Sequence, residues 1–256
     1  MKYLLSSAVM ASAVLALAST SGAGAVEITL IGPGGIRQAV QEMIPAFERK
    51  TGNTVKATFG SGGGTKARVV KGEPFDVPIV QVPYPDVIAS GHVVVSSETP
   101  IANVSVGLAV RSGAPKPDIS TADAVKKLLL SAKLISYPNA ANGAGAGLSF
   151  DETLNKLGIA EAMKPKIKIA QGGAGAMEML AKGEIDYGFT YISEILPEPG
   201  VEAVGPLPKD ISTPTYLTAF LSADSKNPEA AKALIAYLTS PEAAAVYKAR
   251  GMLPGR

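Results

Sequence analysis

From residue 26 onward, short apolar runs alternate with stretches in which apolar residues recur every three or four positions. The first run, Ile28-Thr29-Leu30-Ile31, predicts a strand over residues 26–31. Ile36, Val40, Met43 (or Ile44) and Phe47 then share one stripe, which predicts a helix over 36–49 closed by Gly52. The pattern continues with a strand at 55–59, a short helix at 65–71 and a strand at 76–80. Next come a turn of helix after Pro83-Tyr84-Pro85 and a continuous apolar strand at 104–110. The stretch Ser112-Gly113-Ala114-Pro115-Lys116-Pro117 reads as a break.

A second set comes after it: a helix from Ser120 or Thr121 to 130, strands at 133–136, 167–170 and 185–191, and helices at 148–157 and 172–182. A passage with Pro197, Pro199, Pro206, Pro208 and Pro214 leads to a strand at 216–221. Two helices, 228–238 and 241–250, close the chain, each opening on proline and glutamate.

Such alternation predicts an α/β fold with parallel strands and helices on the sheet faces. Two sets joined by two apolar strands predict two Rossmann-like lobes with a ligand cleft between them. Lobe I takes residues 26–110 and 211–256, lobe II residues 111–210, and strands 104–110 and 216–221 cross over. A single doubly wound sheet is the alternative.

The first 25 residues read differently. Lys2, an uncharged apolar run over 4–17 and Ala23-Gly24-Ala25 form the pattern of a cleavable export signal, with the mature chain starting at Val26. The run is shorter than the ~20 apolar residues of a membrane span, and serines interrupt it. The expected location is the periplasm.

Composition narrows the chemistry. With 24 basic and 22 acidic residues, and no Lys/Arg run, nucleic acid is not an expected partner. No cysteine is present, so disulfides, thiolate metal sites and cysteine nucleophiles are excluded. The single histidine, His92, follows Gly91 and reads as a surface turn residue; a multi-histidine metal site is impossible. No metal and no cofactor are expected.

The candidate chemistry lies in glycine-rich turns that follow strands and open helices. They are Gly32-Pro33-Gly34-Gly35, Gly60-Ser61-Gly62-Gly63-Gly64 and Gly172-Gly173-Ala174-Gly175, with a weaker one at Gly143, Gly145 and Gly147. A helix start carries unpaired N–H groups and partial positive charge, and glycine leaves room for an anion to reach them. A plain tight turn is the alternative for residues 60–66, a linker before a helix for 172–175, and a flexible loop for Gly143, Gly145 and Gly147. Residues 60–66 resemble a phosphate-cradling loop only superficially: Thr65 stands where glycine belongs and Ala67 where a magnesium-binding hydroxyl belongs. Lys66, Arg68 and Arg37 lie near helix starts, where the dipole disfavours cations. A bound carboxylate would explain them, as would solvation. Tyr84 and Tyr191 are candidate cleft residues, with Tyr191 the better placed at its strand end; Tyr187 reads as core. Glu194 is either a general base or a helix-start carboxylate.

Several stretches carry a resemblance: Gly32-Pro33-Gly34-Gly35, Phe59-Gly60-Ser61-Gly62-Gly63, Phe75-Asp76-Val77-Pro78-Ile79 and Ser136-Tyr137-Pro138-Asn139. Gly183-Glu184-Ile185-Asp186-Tyr187-Gly188-Phe189-Thr190-Tyr191, Asn227-Pro228-Glu229-Ala230-Ala231 and Ser240-Pro241-Glu242-Ala243 complete it. Together they resemble the type II periplasmic solute-binding proteins, in particular the molybdate-binding branch and related periplasmic aconitate isomerases. The resemblance implies a hinged cleft in which four loops contact a small anion, and a membrane ABC permease as possible partner to a monomer. By position it implies ligand contacts from Gly34, Gly35, Ser61, Gly62, Gly63, Lys66, Asn139, Gly145, Gly173, Ala174 and Tyr191. The first loop lacks the hydroxyl that molybdate binders offer, and Tyr191 is followed by Ile192-Ser193-Glu194 rather than the Thr-Asp-Ala of that branch. Both differences imply a bulkier ligand such as an organic carboxylate. The alternative is an isomerase of an unsaturated tricarboxylate working by an allylic proton shift, with Lys66, Tyr191 and Glu194 as its catalytic candidates.

Overall fold

The computed structural model describes residues 24–255; the export signal expected over 1–25 lies almost wholly outside them. The chain begins with β1 (Glu27–Pro33), a single 3₁₀ turn (Gly34–Ile36) and α1 (Arg37–Thr51). α1 buries Ala39, Val40, Met43 and Phe47, the stripe its sequence predicts, and ends on Gly52 at φ 77°, where a side chain would be strained. Then come β2 (Thr54–Gly60), α2 (Gly62–Val70), β3 (Val77–Gln81), α3 (Pro85–Ala89), β4 (Val93–Val104) and β5 (Val106–Arg111). The second set runs α4 (Ala122–Ser131), β6 (Ile135–Pro138), α5 (Gly145–Lys156), α6 (Ala160–Met163), β7 (Ile167–Ala170) and α7 (Gly172–Ala181). It continues through β8 (Tyr187–Tyr191), α8 (Ile192–Ile195) and β9 (Val201–Pro206). β10 (Thr215–Ser222), α9 (Pro228–Leu238), α10 (Pro241–Ala249) and β11 (Met252–Pro254) finish the chain.

These strands form two sheets, ordered β11-β4-β10-β3-β1-β2 and β7-β6-β8-β5-β9. In the first, β1 pairs in parallel with β2 (Leu30↔Ala57) and β3 (Leu30↔Val77), and β10 runs antiparallel to β3 and β4. In the second, β6 pairs in parallel with β7 and β8, and β5 runs antiparallel to β8 and β9. The central strands are apolar on both faces because helices cover both: Ile28, Leu30, Ile31, Val77, Ile79 and Val80 are all buried. In the second half the stacked rings of Phe150 and Phe189, 4.3 Å between centroids, fill the space between α5 and β8.

Several elements differ from the expectation. The apolar run 104–110 is not one strand. It changes sheet at Ser105, with Val104 ending β4 in the first sheet and Val106 opening β5 in the second. Ser105 is the one polar residue in the run, and a single serine flanked by valines does not by itself mark a change of sheet. β4 and β9 are not among the expected strands. The β4 segment Ser96-Ser97-Glu98-Thr99-Pro100 has the composition of a loop, and its pairing with β10 is broken by register shifts around Thr218 and Leu221. β9 lies on a sheet edge, beyond two prolines, and tolerates Pro206 there. Finally, α2 and α5 each start three residues before their apolar periodicity does, at Gly62 and Gly145.

Candidate functional site

Parallel strands end, and their following helices begin, on the same edge of each sheet, and the two edges face one another across a cleft of about 480 Å³. The first half contributes Pro33, Gly34, Gly35, Arg37 and Gln38 from the β1–α1 connection. Gly60, Ser61 and Gly62 come from β2–α2, and Gln81 from the end of β3. The second half contributes Asn139, Asn142 and Gly145 from β6–α5 and Gln171, Gly172, Gly173 and Ala174 from β7–α7. Tyr191, Glu194 and Glu198 come from the end of β8 and beyond.

Two of these turns are capped by their own side chains. Ser61 Oγ accepts the Gly64 N–H at 3.0 Å, and Asn139 Oδ1 accepts the Ala141 N–H at 3.0 Å. The 3₁₀ turn at Gly34, α5 and α7 have no side-chain cap, so their first N–H groups are left to other partners.

The sequence-predicted residues divide clearly. Gly34, Gly35, Ser61, Gly62, Asn139, Gly145, Gly173, Ala174, Tyr191 and Glu194 are brought to the one cleft. Gly63 and Lys66 are not among its lining. The Gly63 N–H is taken by the Gly143 carbonyl at 2.9 Å. Lys66 sits one helical step past Thr65, which is anchored inward on the Gly32 carbonyl; its ammonium instead donates to the Pro83 carbonyl at 2.9 Å. Arg68 pairs with Glu73 at 2.6 Å and lies over the Phe75 ring, so its partners are within the protein. Tyr84 is also elsewhere, with its hydroxyl on Glu98 and its ring edge-on to Phe220. His92 is a surface residue paired with Asp224.

The glycines have a purpose beyond opening turns. A Cβ on Gly62 would lie 1.7 Å from Gln81 Oε1, and one on Gly145 would lie 2.4 Å from both Gln81 Nε2 and the Tyr191 hydroxyl. A Cβ on Gly35 would meet the Tyr191 ring at 2.7 Å. On Gly34 and Gly173 it would meet the two carboxylate oxygens of Glu194, at 2.9 and 2.5 Å. Three side chains, Gln81, Tyr191 and Glu194, thus occupy the space these five glycines leave.

Those side chains also join the halves. Gln81 Nε2 donates to the Tyr191 hydroxyl at 3.2 Å, and that hydroxyl donates to Thr215 Oγ1 at 2.9 Å. Gln81 and Thr215 belong to the first sheet, Tyr191 to the second. Ser193 Oγ donates to the Gly35 carbonyl at 2.7 Å. At the rim, Ser61 Oγ donates to the Asn142 carbonyl at 3.0 Å, beside the Gly63–Gly143 contact. Burial pushes the Tyr191 phenol far above its ordinary range, so it serves as a neutral hydrogen-bonding group.

Glu194 is partly buried and accepts a hydrogen bond from Thr190 Oγ1. Burial raises its pKa; the Thr190 hydrogen bond and the positive field of Arg37 offset that only in part. Arg37 is exposed at the mouth, its guanidinium 5.7 Å from the Phe59 ring centroid. Gln81 is a site residue that the sequence reading misses. Its signal is the same as that of Tyr191, since it ends the third strand of its own half.

Two α/β halves with a polar cleft between their strand ends define a binding protein of the type II periplasmic class. The chain belongs to the bacterial extracellular solute-binding protein family, whose model matches residues 28–253. It is 34% identical to an aconitate isomerase from Pseudomonas sp. over 89% of this chain and 87% of that one. It is 28% identical to the molybdate-binding protein ModA of Rhodobacter capsulatus over 93% and 92% of the two chains. The fold matches that of the periplasmic molybdate-binding protein of Azotobacter vinelandii with a TM-score of 0.74 at 20% identity, covering 88% of this chain and 98% of that one.

Proposed function

We propose that this solute-binding protein captures a small anion, an organic carboxylate or an oxyanion, between two lobes and presents it to an ABC-type permease. The supporting observation is the convergence of helix starts from both halves on one cleft that also holds Arg37. Because β5 joins the second sheet, the lobes are drawn as residues 26–104 with 215–255, and residues 106–206, in place of the expected boundary at residue 110; ligand touching both favours a closed arrangement over an open one. Gly34, Gly35, Ser61, Gly62, Asn139, Gly145, Gly173, Ala174 and Tyr191 form its contact surface. The chain works as a monomer in the periplasm after cleavage behind Ala25. A thermal-shift panel of molybdate, tungstate, phosphate, sulfate, citrate and trans-aconitate tests this. At least one anion raises the melting temperature, and Arg37→Ala lowers that response. A panel with no response removes the reading.

A second reading is favoured by Glu194. A carboxyl of raised pKa within the cleft is suited to move a proton between two carbons of one substrate. In a tricarboxylate isomerase of the kind named among the relatives, the base takes a proton from the CH₂ group and the double bond shifts by one carbon. The proton then returns to the former vinylic carbon. Incubation with trans-aconitate, followed by NMR, yields the cis isomer if this reading holds and unchanged substrate if it does not.

A further inference from the structure

Among the described residues that line the cleft, the charged groups are Arg37, Glu194 and Glu198. Fully ionised, they present one positive and two negative charges to an incoming anion. Glu194 is the one held against turns of both halves. Its two oxygens are packed against the backbone of Gly34 from one half and Gly173 from the other, and the wall of both turns is shaped around them. An anion seated at those helix starts is therefore brought close to this carboxyl, where charge repulsion in a poorly solvated space is strong.

We propose that the anion enters this cleft together with one proton, which Glu194 holds. This inference rests on the reading of the cleft as an anion site. Protonated, Glu194 stops repelling the ligand and gains a hydroxyl to donate to it, while Arg37 supplies the compensating charge. The groups that face Glu194 are consistent with this. Thr190 and Tyr191 from β8 are neutral, Gly34 and Gly173 present only backbone, Arg37 on α1 favours the ionised form, and Glu198 beyond α8 opposes it. Burial has already moved Glu194 toward the protonated state before any ligand arrives. The bound anion adds a further push in the same direction.

The experiment is calorimetry of the full chain with two probes, trans-aconitate and molybdate, from about pH 7.5 to pH 9.5, where free carboxylates are ionised. Runs in buffers of different ionisation enthalpy give the number of protons exchanged. We expect uptake approaching about one proton per anion, and an affinity that falls roughly tenfold per pH unit above the Glu194 titration. Glu194→Gln, which resembles the protonated acid, binds with flat pH dependence and no uptake; at the alkaline end it binds tighter than the parent. Glu198→Gln keeps the uptake. Binding without proton uptake in the parent overturns the proposal but leaves the anion site standing. Uptake retained by Glu194→Gln, or lost with Glu198→Gln instead, also overturns it. If neither probe binds, this inference falls, and the anion-site reading falls with it only when the remaining anions of the thermal-shift panel also give no response.

Discussion

The two halves are built on one plan. Setting β11 aside, the first sheet reads β2-β1-β3-β10-β4 and the second β7-β6-β8-β5-β9. In each, the first strand of the set lies between the other two, with the second at the sheet edge and the third on its other side. An antiparallel strand that arrives by crossing over comes next. The correspondence reaches single residues. Gln81 ends the third strand of one half and Tyr191 ends the third strand of the other, and the two are hydrogen-bonded to each other at 3.2 Å. Asp76 and Asp186 each precede that third strand and accept an N–H near the set's first strand: Thr29, within β1, at 2.8 Å in one case, and Lys133, two residues before β6, at 2.6 Å in the other.

The halves part company beyond the third strand. After Gln81 the chain turns away through Pro83 and Tyr84, whereas after Tyr191 it folds directly into α8 and returns Glu194 to the cleft. One half therefore supplies the cation and the other both acids. Shared architecture sets the position of the cleft, and the unshared turn after β8 sets its charge.

The likeness of the halves can be broken most severely at Tyr191, whose ring lies between Gly35 and Gly145. Tyr191→Ala leaves a void where both halves meet and is expected to cost about 3–5 kcal/mol, read by urea unfolding. A cost below ~1 kcal/mol would mean the ring is not a packing link between them. Next comes the aspartate pair. Asp76 is buried and accepts hydrogen bonds from the backbone and hydroxyl of Thr29 and from Ser225; Asp186 is exposed. Asp76→Asn should cost about 1–3 kcal/mol and Asp186→Asn less. Equal costs would show that burial does not separate the two sites.

Asp76 also gives its half an acid-sensitive element. Burial alone would raise its pKa, but hydrogen bonds from Ser225, Thr29 and Asn227 outweigh it and hold the carboxyl below its ordinary value. Its contribution is thus complete above the unfolded carboxylate range at pH ~4 and is lost as pH falls through the lower folded value. Asp76→Asn should flatten that acid limb of the stability curve.

The smallest effect concerns the Gln81–Tyr191 bond. In a double-mutant cycle of Tyr191→Phe and Gln81→Met, the coupling should be about 0.5–1.5 kcal/mol. Additive costs would mean that the equivalent strand ends touch without joining the halves.

Much of this plan is legible in the chain because alternating strand and helix periods are strong local signals. The stripe Val40, Met43 and Phe47 and the proline-led closing helices are where the pattern puts them. The break at Ser105 is not legible, since Val104 and Val106 are equally apolar and only the partner strands differ. The glycine turns stand out as candidates, but their close contacts do not. Gly62 is shaped by Gln81, and Gly35 by Tyr191, residues distant in sequence and, for Tyr191, in the opposite half. Lys66 illustrates the converse: a cation beside a glycine loop looks ligand-facing, yet the turn of α2 carries it to Pro83.

The rim contact between Gly63 and Gly143 has one more consequence. The two lips meet through naked main chain, so close that a Cβ on Gly63 would lie 3.0 Å from the Gly143 Cα, and one on Gly143 would lie 2.8 Å from the Gly63 Cα. Such a contact orders no side-chain rotamers. At the rim itself the halves are joined by this one N–H···O=C bond and the neighbouring Ser61–Asn142 bond, and even the smallest side chain at either lip would act as a wedge.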